Sequence, residues 1–280
     1  MGTDKSGKTP DENTLDLCLR ALYEKDRLGY AGRFVQGFVH NANGPLQNLT
    51  MLTEMVLSGL DMQDRMFRNG AGQEGDADKW SEIHEKQRKR ITQMREQIAN
   101  LAGDLREFMQ LHETERNAAD IDLNALLTRM MRVFRSDLFF KHKVTSELNL
   151  TRNLPHVRVL GRHMIPALFH LFQNAMTAMQ DSPRKEFSVS TSMTDGEIQV
   201  RFTDSGPGLP PGEDPESLFG LFESKWPESE STLKSANLGF GLYAARQLLA
   251  PYGIAVALET ESGKEGVSAV IRIPLKSDQA

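Results

Sequence analysis

Apolar residues recur at three- and four-residue steps from about Leu15 to Arg68. That is the spacing of one face of an α-helix. Pro45 is the proline inside this run, and it predicts a bend there. A polar, glycine-rich break follows, Asn69-Gly-Ala-Gly-Gln-Glu-Gly-Asp76, with the composition of a loop. The periodicity resumes from about Lys79 to Glu115, where Ile91, Met94, Ile98, Leu101, Leu105 and Phe108 make a two-position heptad stripe. Two long helices joined by one loop predict an antiparallel hairpin. One narrow seam per helix buries little surface, and pairing with a second hairpin as a four-helix bundle is the economical solution. The pattern therefore predicts a homodimer through residues 15–115. An intramolecular bundle packed on the following domain is the other arrangement it allows.

Beyond Arg116 the period changes. Asp122-Leu-Asn-Ala-Leu-Leu starts a helix with Asp122 as N-cap. Lys143 to Leu150 alternates as a strand, and Gly161 to Met179 is a strongly apolar helix. Phe187–Ser192 and Glu197–Thr203 alternate as strands about a tight turn at 194–196. Leu238 to Tyr252 reads as a helix, and Ile254–Glu261 and Val267–Leu275 as a final strand pair. The order predicts an α/β sandwich with helices on one face of a sheet. The long stretch from Pro210 to Asn237 is irregular, as functional lids often are. The expected organisation is a disordered lead over residues 1–14, a helical region over 15–116 and an α/β domain over 117–280.

Composition narrows the function classes. The 280 residues carry a net charge of −5, which gives no whole-protein attraction to nucleic acid or to an anionic membrane. Cys18 is the single cysteine, so no internal disulfide and no cysteine-rich zinc site can form. No run approaches the ~18 apolar residues of a membrane span. A cytoplasmic location is expected from these features.

Four clusters in the second half carry chemistry. Asn174-Ala175, with Ala178, ends the apolar helix, and an amide oxygen there is a suitable hard ligand for Mg2+. Asp204-Ser-Gly-Pro-Gly208 closes a strand, where a carboxylate can accept from an exocyclic amine. Leu218-Phe-Gly-Leu-Phe-Glu-Ser-Lys225 offers aromatic anchors and a lysine within the lid region. Asn237-Leu-Gly-Phe-Gly241 opens a helix, where free N–H groups attract anions. In order and spacing, the four clusters resemble the histidine-kinase branch of the GHKL ATPases. The N box is then Asn174-Ala175; the G1 box Asp204, Gly206 and Gly208; the F box Phe219 and Phe222; and the G2 box Gly239 and Gly241. The stretch Phe34-Val-Gln-Gly-Phe-Val-His40-Asn-Ala-Asn-Gly-Pro45 resembles that family's H box, with proline five residues after the accepting histidine.

The resemblance implies a two-component sensor histidine kinase catalytic core. Its hairpin would be the dimerisation and phosphotransfer domain, and its α/β sandwich would be of the Bergerat type. It implies ATP and Mg2+ as ligands, with Asn174 on the metal and Asp204, Gly206, Gly208, Lys225, Gly239 and Gly241 around the nucleotide. His40 would be the phosphoacceptor, flanked by Asn41 and Asn43, and a response-regulator receiver domain would be the partner. The chain departs from the pattern at four places. Asn41 stands where an acidic residue usually follows the histidine, and Gly44 where Thr or Asn is common. His170 stands four residues before Asn174 in place of a second Asn, and Thr177 stands in place of a Lys. Asn41 and Gly44 support an alternative reading, a catalytically degenerate nucleotide-binding scaffold or phosphotransfer protein of the same fold.

Overall fold

A computed structural model of the chain describes residues 12–68, 76–117, 119–135, 137–194, 196–209, 212–223, 239–260 and 265–275. Two long helices come first, α1 (Glu12–Arg68) and α2 (Asp76–Asn117). Helix α1 begins at Glu12, three residues before the position the periodicity indicates, and continues through Pro45 as a single helix. The two helices are antiparallel. Early residues of α1 meet late residues of α2, as Phe38 stacks near Phe108 at 6.3 Å between ring centroids. Late residues of α1 meet early residues of α2, as Gln87 donates to the Val56 carbonyl at 3.3 Å and Arg90 to the Met55 carbonyl at 3.0 Å.

The heptad stripe on α2 is split. Met94, Leu101 and Phe108 are half-buried, whereas Ile91 is 54% exposed, Ile98 54% and Leu105 44%. Each set has a seven-residue period, so one column of the seam faces α1 and the other is left uncovered. Helix α1 likewise exposes Val39, Leu46, Met55 and Met62.

The second half is a five-stranded mixed sheet in the order β1-β2-β3-β5-β4. The strands are β1 (Thr145–Asn149), β2 (Glu186–Thr194), β3 (Glu197–Asp204), β4 (Ala255–Glu259) and β5 (Ser268–Pro274). Strands β1 and β2 are parallel and the other neighbours antiparallel. The helices are α3 (Leu123–Phe134), α4 (Leu138–Lys143), α5 (Gly161–Met179) and α6 (Gly241–Leu249). The side chain of Asp122 caps α3 by accepting from the Ala125 N–H at 3.0 Å, as its position in the sequence implies. The fold class is thus the one the hydrophobic pattern predicts, a helical hairpin followed by an α/β sandwich.

Helix α5 runs along the sheet as the central post of the core. Phe172 stacks on Phe134 at 4.4 Å and meets Phe187 and Phe202 of the sheet at 5.1 and 5.2 Å. Two elements were not visible as periodic runs. Helix α4 is capped by Asp137, which accepts from the Phe140 N–H at 2.9 Å. A 3-10 helix over Pro215–Phe219 interrupts the stretch that reads as irregular, started by Asp214, which accepts from the Glu216 N–H at 3.0 Å.

The hairpin is built into this core at one end. Leu111 of α2 belongs to the same buried cluster as α3 and α5. Glu107 of α2 accepts from Arg129 at 3.1 Å and from Arg132 at 2.5 Å, both on α3. The first residue of α5, Gly161, lies directly on α2: a Cβ there would sit 2.0 Å from the Thr114 carbonyl oxygen. Since the obstacle is backbone, Gly161→Ala forces α2 and α5 apart, and it should cost about 1–3 kcal/mol, as overpacking does. Urea denaturation measures this, and an unchanged midpoint would show that the two helices separate without cost.

Candidate functional site

One face of α5 organises the site. His170, Asn174 and Ala178 lie at four-residue steps, so they stack along one side of the helix over about 12 Å. Each end of this row meets a glycine segment. At the Ala178 end, a Cβ on Gly206 would lie 2.8 Å from the Ala178 Cβ and 2.7 Å from Asp204 Oδ1. At the His170 end, a Cβ on Gly241 would lie 3.2 Å from His170 Nδ1. Asn174 sits between, half-buried, and its amide makes no hydrogen bond among the described residues.

Asp204 ends β3 and is 6% exposed. Its Oδ1 accepts the Gly206 N–H at 2.8 Å. Burial pushes its carboxyl up to about 6, and the backbone hydrogen bonds from Gly206 and Val267 only partly offset that shift. A buried carboxylate with lone pairs to spare is a strong acceptor for an N–H donor. Gly208 lies beside Gly266: a Cβ on Gly208 would meet the Gly266 backbone at 3.7 Å. Gly266 has φ +101, and a Cβ there would fall 2.0 Å from the Asp204 carbonyl oxygen, so only glycine lets the segment leading into β5 close over Asp204.

The glycine turn before α6 is equally tight. Gly239 has φ +68, and a Cβ would strike the Glu223 carbonyl at 2.4 Å. Phe240 between the two glycines is buried and lies edge-on to His170, 6.3 Å away at 88°. The two phenylalanines of the 212–223 segment part company. Phe219 is buried, with the Arg246 guanidinium 3.5 Å over its ring, whereas Phe222 is 57% exposed and holds a left-handed φ of +62. Arg246 also binds Glu216 through two N–H donors at 2.8 and 3.0 Å and donates to the Val256 carbonyl at 3.1 Å. It fixes the 3-10 helix to α6 and β4.

The structure therefore brings together Asn174, Asp204, Gly206, Gly208, Gly239 and Gly241. Lys225 lies outside the described residues. His40 and Asn41 fall within α1, with side chains outside the description, and Asn43 is exposed on the same helix. Near them, Phe38, Pro45, Asn48, Gln97, Arg135 and Lys141 line a separate cleft of about 450 Å³ between the hairpin and the α3–α4 side of the sandwich. Sequence reasoning missed Arg246 and Gly266 as site residues. Gly266 stands only as a glycine between the last two expected strands, and nothing local distinguishes Arg246.

Residues 162–277 match the family described as histidine kinase-, DNA gyrase B-, and HSP90-like ATPases. This segment, which spans α5, most of the sheet and α6, is similar to the ATPase domains of that family. The family of that description implies ATP binding, and the curated relatives with matching segments are named as histidine kinases. The methanogenesis regulatory histidine kinase FilI of Methanothrix harundinacea (strain 6Ac) is 31% identical over 129 residues, 46% of this chain and 14% of the relative. The signal transduction histidine-protein kinase ArlS of Staphylococcus haemolyticus (strain JCSC1435) is 26% identical over 173 residues, 61% of this chain and 35% of the relative. The chain thus spans about a third or less of the length of these curated relatives. Among solved structures, the histidine kinase AdeS of Acinetobacter baumannii aligns with a TM-score of 0.43 and 16% identity over 85% of this chain and 98% of that one. No helix among the described residues is long and apolar enough to cross a membrane.

The α/β domain carries its buried carboxylate at a cost that can be measured. The folded Asp204 holds its proton up to about pH 6, above the ordinary value of 3.8. Its contribution therefore favours folding at lower pH and opposes it as pH rises through about 6. Asp204→Asn should stabilise the unliganded protein at about pH 7.5 by roughly 1–3 kcal/mol, a gain that narrows as pH falls below 6. Thermal melts at both pH values test the sign. A variant less stable at the higher pH would mean that the carboxylate is structurally required.

Proposed function

We propose that the chain is a protein histidine kinase that transfers the terminal phosphoryl group of Mg-ATP to His40 and then to an aspartate of a receiver domain. The observation that carries this reading is the α5 row: the Asn174 amide, with no hydrogen bond among the described residues, lies between a buried carboxylate at one end and a glycine turn opening a helix at the other. The names of the relatives, both histidine kinases, support it. The row's length of about 12 Å suits a nucleotide lying from base to terminal phosphate.

In this reading Asp204 accepts the exocyclic amine of adenine, and Gly206 leaves the base room to lie flat beside Ala178. The Gly239–Gly241 turn at the start of α6 receives the phosphates. Asn174 would hold Mg2+, which supplies charge neutralisation across the phosphate oxygens. A neutral His40 ring nitrogen attacks the terminal phosphorus. The N–P bond forms, the bond to the bridging oxygen breaks, and ADP leaves with that electron pair. Asn41 cannot take the remaining ring proton, which passes to solvent, so the reaction is slower than one assisted by an adjacent carboxylate. The phosphoryl group then moves to a carboxylate oxygen of the receiver, regenerating His40.

The reading includes a homodimer. The uncovered column of Ile91, Ile98 and Leu105, with Val39 and Leu46 opposite, has the period of a bundle seam.

Incubation with γ-labelled ATP tests the kinase. Wild type should take label that is stable to base and lost in acid, and His40→Ala should take none. Equal labelling of His40→Ala would overturn the phosphoacceptor assignment. Asn174→Ala should weaken Mg-ATP binding at least about tenfold, the loss of one charge-assisted ligand. Unchanged calorimetric affinity would count against Asn174 as the metal ligand. Ile98→Glu with Leu105→Glu should shift sedimentation from dimer to monomer, and an unshifted boundary would place the interface elsewhere.

A further inference from the structure

The stem touches the glycine turn at a place far from the phosphoacceptor. Tyr23, near the start of α1, packs its half-buried ring against Phe240, with centroids 5.2 Å apart and planes at 48°. Phe240 stands between Gly239 and Gly241 and is the N-cap residue of α6. Its ring also meets Tyr243, one turn along α6, at 6.3 Å. Phe240 is thus held between His170 on the site side and Tyr23 on the stem side. Movement of Tyr23 acts on the backbone that the proposed function assigns to the phosphates.

The helix sets the distance that matters. Tyr23 and His40 are both on α1 before Pro45. Seventeen residues of α-helix rise about 25 Å. In-line attack needs the nucleophile within roughly 3–3.5 Å of the phosphorus. A dimer with its two-fold axis along the stem carries both copies of His40 at the same height, so the partner's copy is no nearer.

We propose that Tyr23 is a positioning residue that parks the Gly239–Gly241 turn against the stem in a resting arrangement, and that its release is required before His40 can be phosphorylated. The inference rests on the nucleotide reading of that turn. Burial, and then the neighbouring Tyr243, push the Tyr23 hydroxyl up to about 12, so the phenol stays neutral and the contact does not switch with ordinary pH. Rotation of α1 does switch it. One residue of register turns the helix by about 100° and carries Tyr23 off Phe240. A twist applied to the start of α1 would therefore reach the phosphate turn through one side chain.

The test uses the full chain with Tyr23→Ala and Tyr23→Phe. At saturating γ-labelled ATP, Tyr23→Ala should label His40 about threefold to tenfold faster than wild type, the scale of one lost aromatic contact. Its KM for ATP should move less than its kcat, and Tyr23→Phe should keep the wild-type rate because the ring contact survives. An unchanged or slower Tyr23→Ala overturns the proposal. A second arm does not depend on kinase activity. Tyr23→Cys with Tyr243→Cys, in a Cys18→Ser background, should be joined within one chain by a short bis-maleimide. Hydrogen exchange at 239–243 should slow in the linked protein. A pair that fails to link overturns the docking itself, whereas linking in a protein that takes no label would defeat only the kinase reading.

Discussion

Helix α5 has to be buried almost all round, and the rest of the α/β domain is arranged to bury it. Met164, Ile165, Leu168, Phe169, Leu171 and Phe172 face the sheet, α3 and α6. Only the side carrying Gln173, Asn174 and Met176 is partly open. A helix this apolar cannot shift or rotate without exposing hydrophobic surface, at about 25 cal/mol per Å². The row from His170 to Ala178 is therefore held rigidly by forces unconnected with any ligand. Whatever binds along it meets a fixed scaffold, and adaptation is left to the segments at its two ends.

Those ends are constrained in different ways. At one end, burial of Asp204 opposes its ionisation, while the Gly206 N–H sustains it. The carboxyl is poised near neutrality, and a donor arriving from a ligand would tip it to the charged form. At the other end, the Gly239–Gly241 turn is held by contacts with Phe222 and Glu223, His170 and Tyr23. The 3-10 helix before them is in turn tied down by Arg246 through an ion pair, a ring face and a backbone carbonyl. The acidic end is set by desolvation and the glycine end by packing, so only the second can respond to a movement of the stem.

The sequence was most legible where burial is one-sided or complete. Helix α5 runs from Gly161 to Met179, where the apolar run places it, because its composition leaves no other way to bury those residues. The conjunction of Asn174, Asp204, Gly206, Gly239 and Gly241 left a trace in the sequence because Gly206 and Gly239 mark close approaches that a side chain would block, while Gly241 lies against His170 at a tight 3.2 Å. Helix α4 was hidden because six residues carry too little period to read, although Asp137 gave a capping signal. The Asp214-Pro215 pair announced the 3-10 helix in the same way. Arg246 and Tyr23 were illegible in principle. Their partners lie ten to more than two hundred positions away, and an arginine over a phenylalanine leaves no local trace.

The joint between stem and domain limits how the two can move. A free linker would let the α/β domain swing on a few residues after α2. Here the last turns of α2 are part of the domain: Leu111 is in its core, Thr114 abuts Gly161, and Glu107 binds Arg129 and Arg132. Displacing them would expose Leu111 and leave two arginines without their carboxylate. Relative motion is therefore absorbed more cheaply above Glu107, within the helices of the hairpin, where Gly103 lies in open space and weakens α2 by about 1 kcal/mol relative to alanine. In that geometry the domain is carried by the stem rather than tethered to it. A change in helix packing would then be transmitted directly to the glycine turn that Tyr23 contacts.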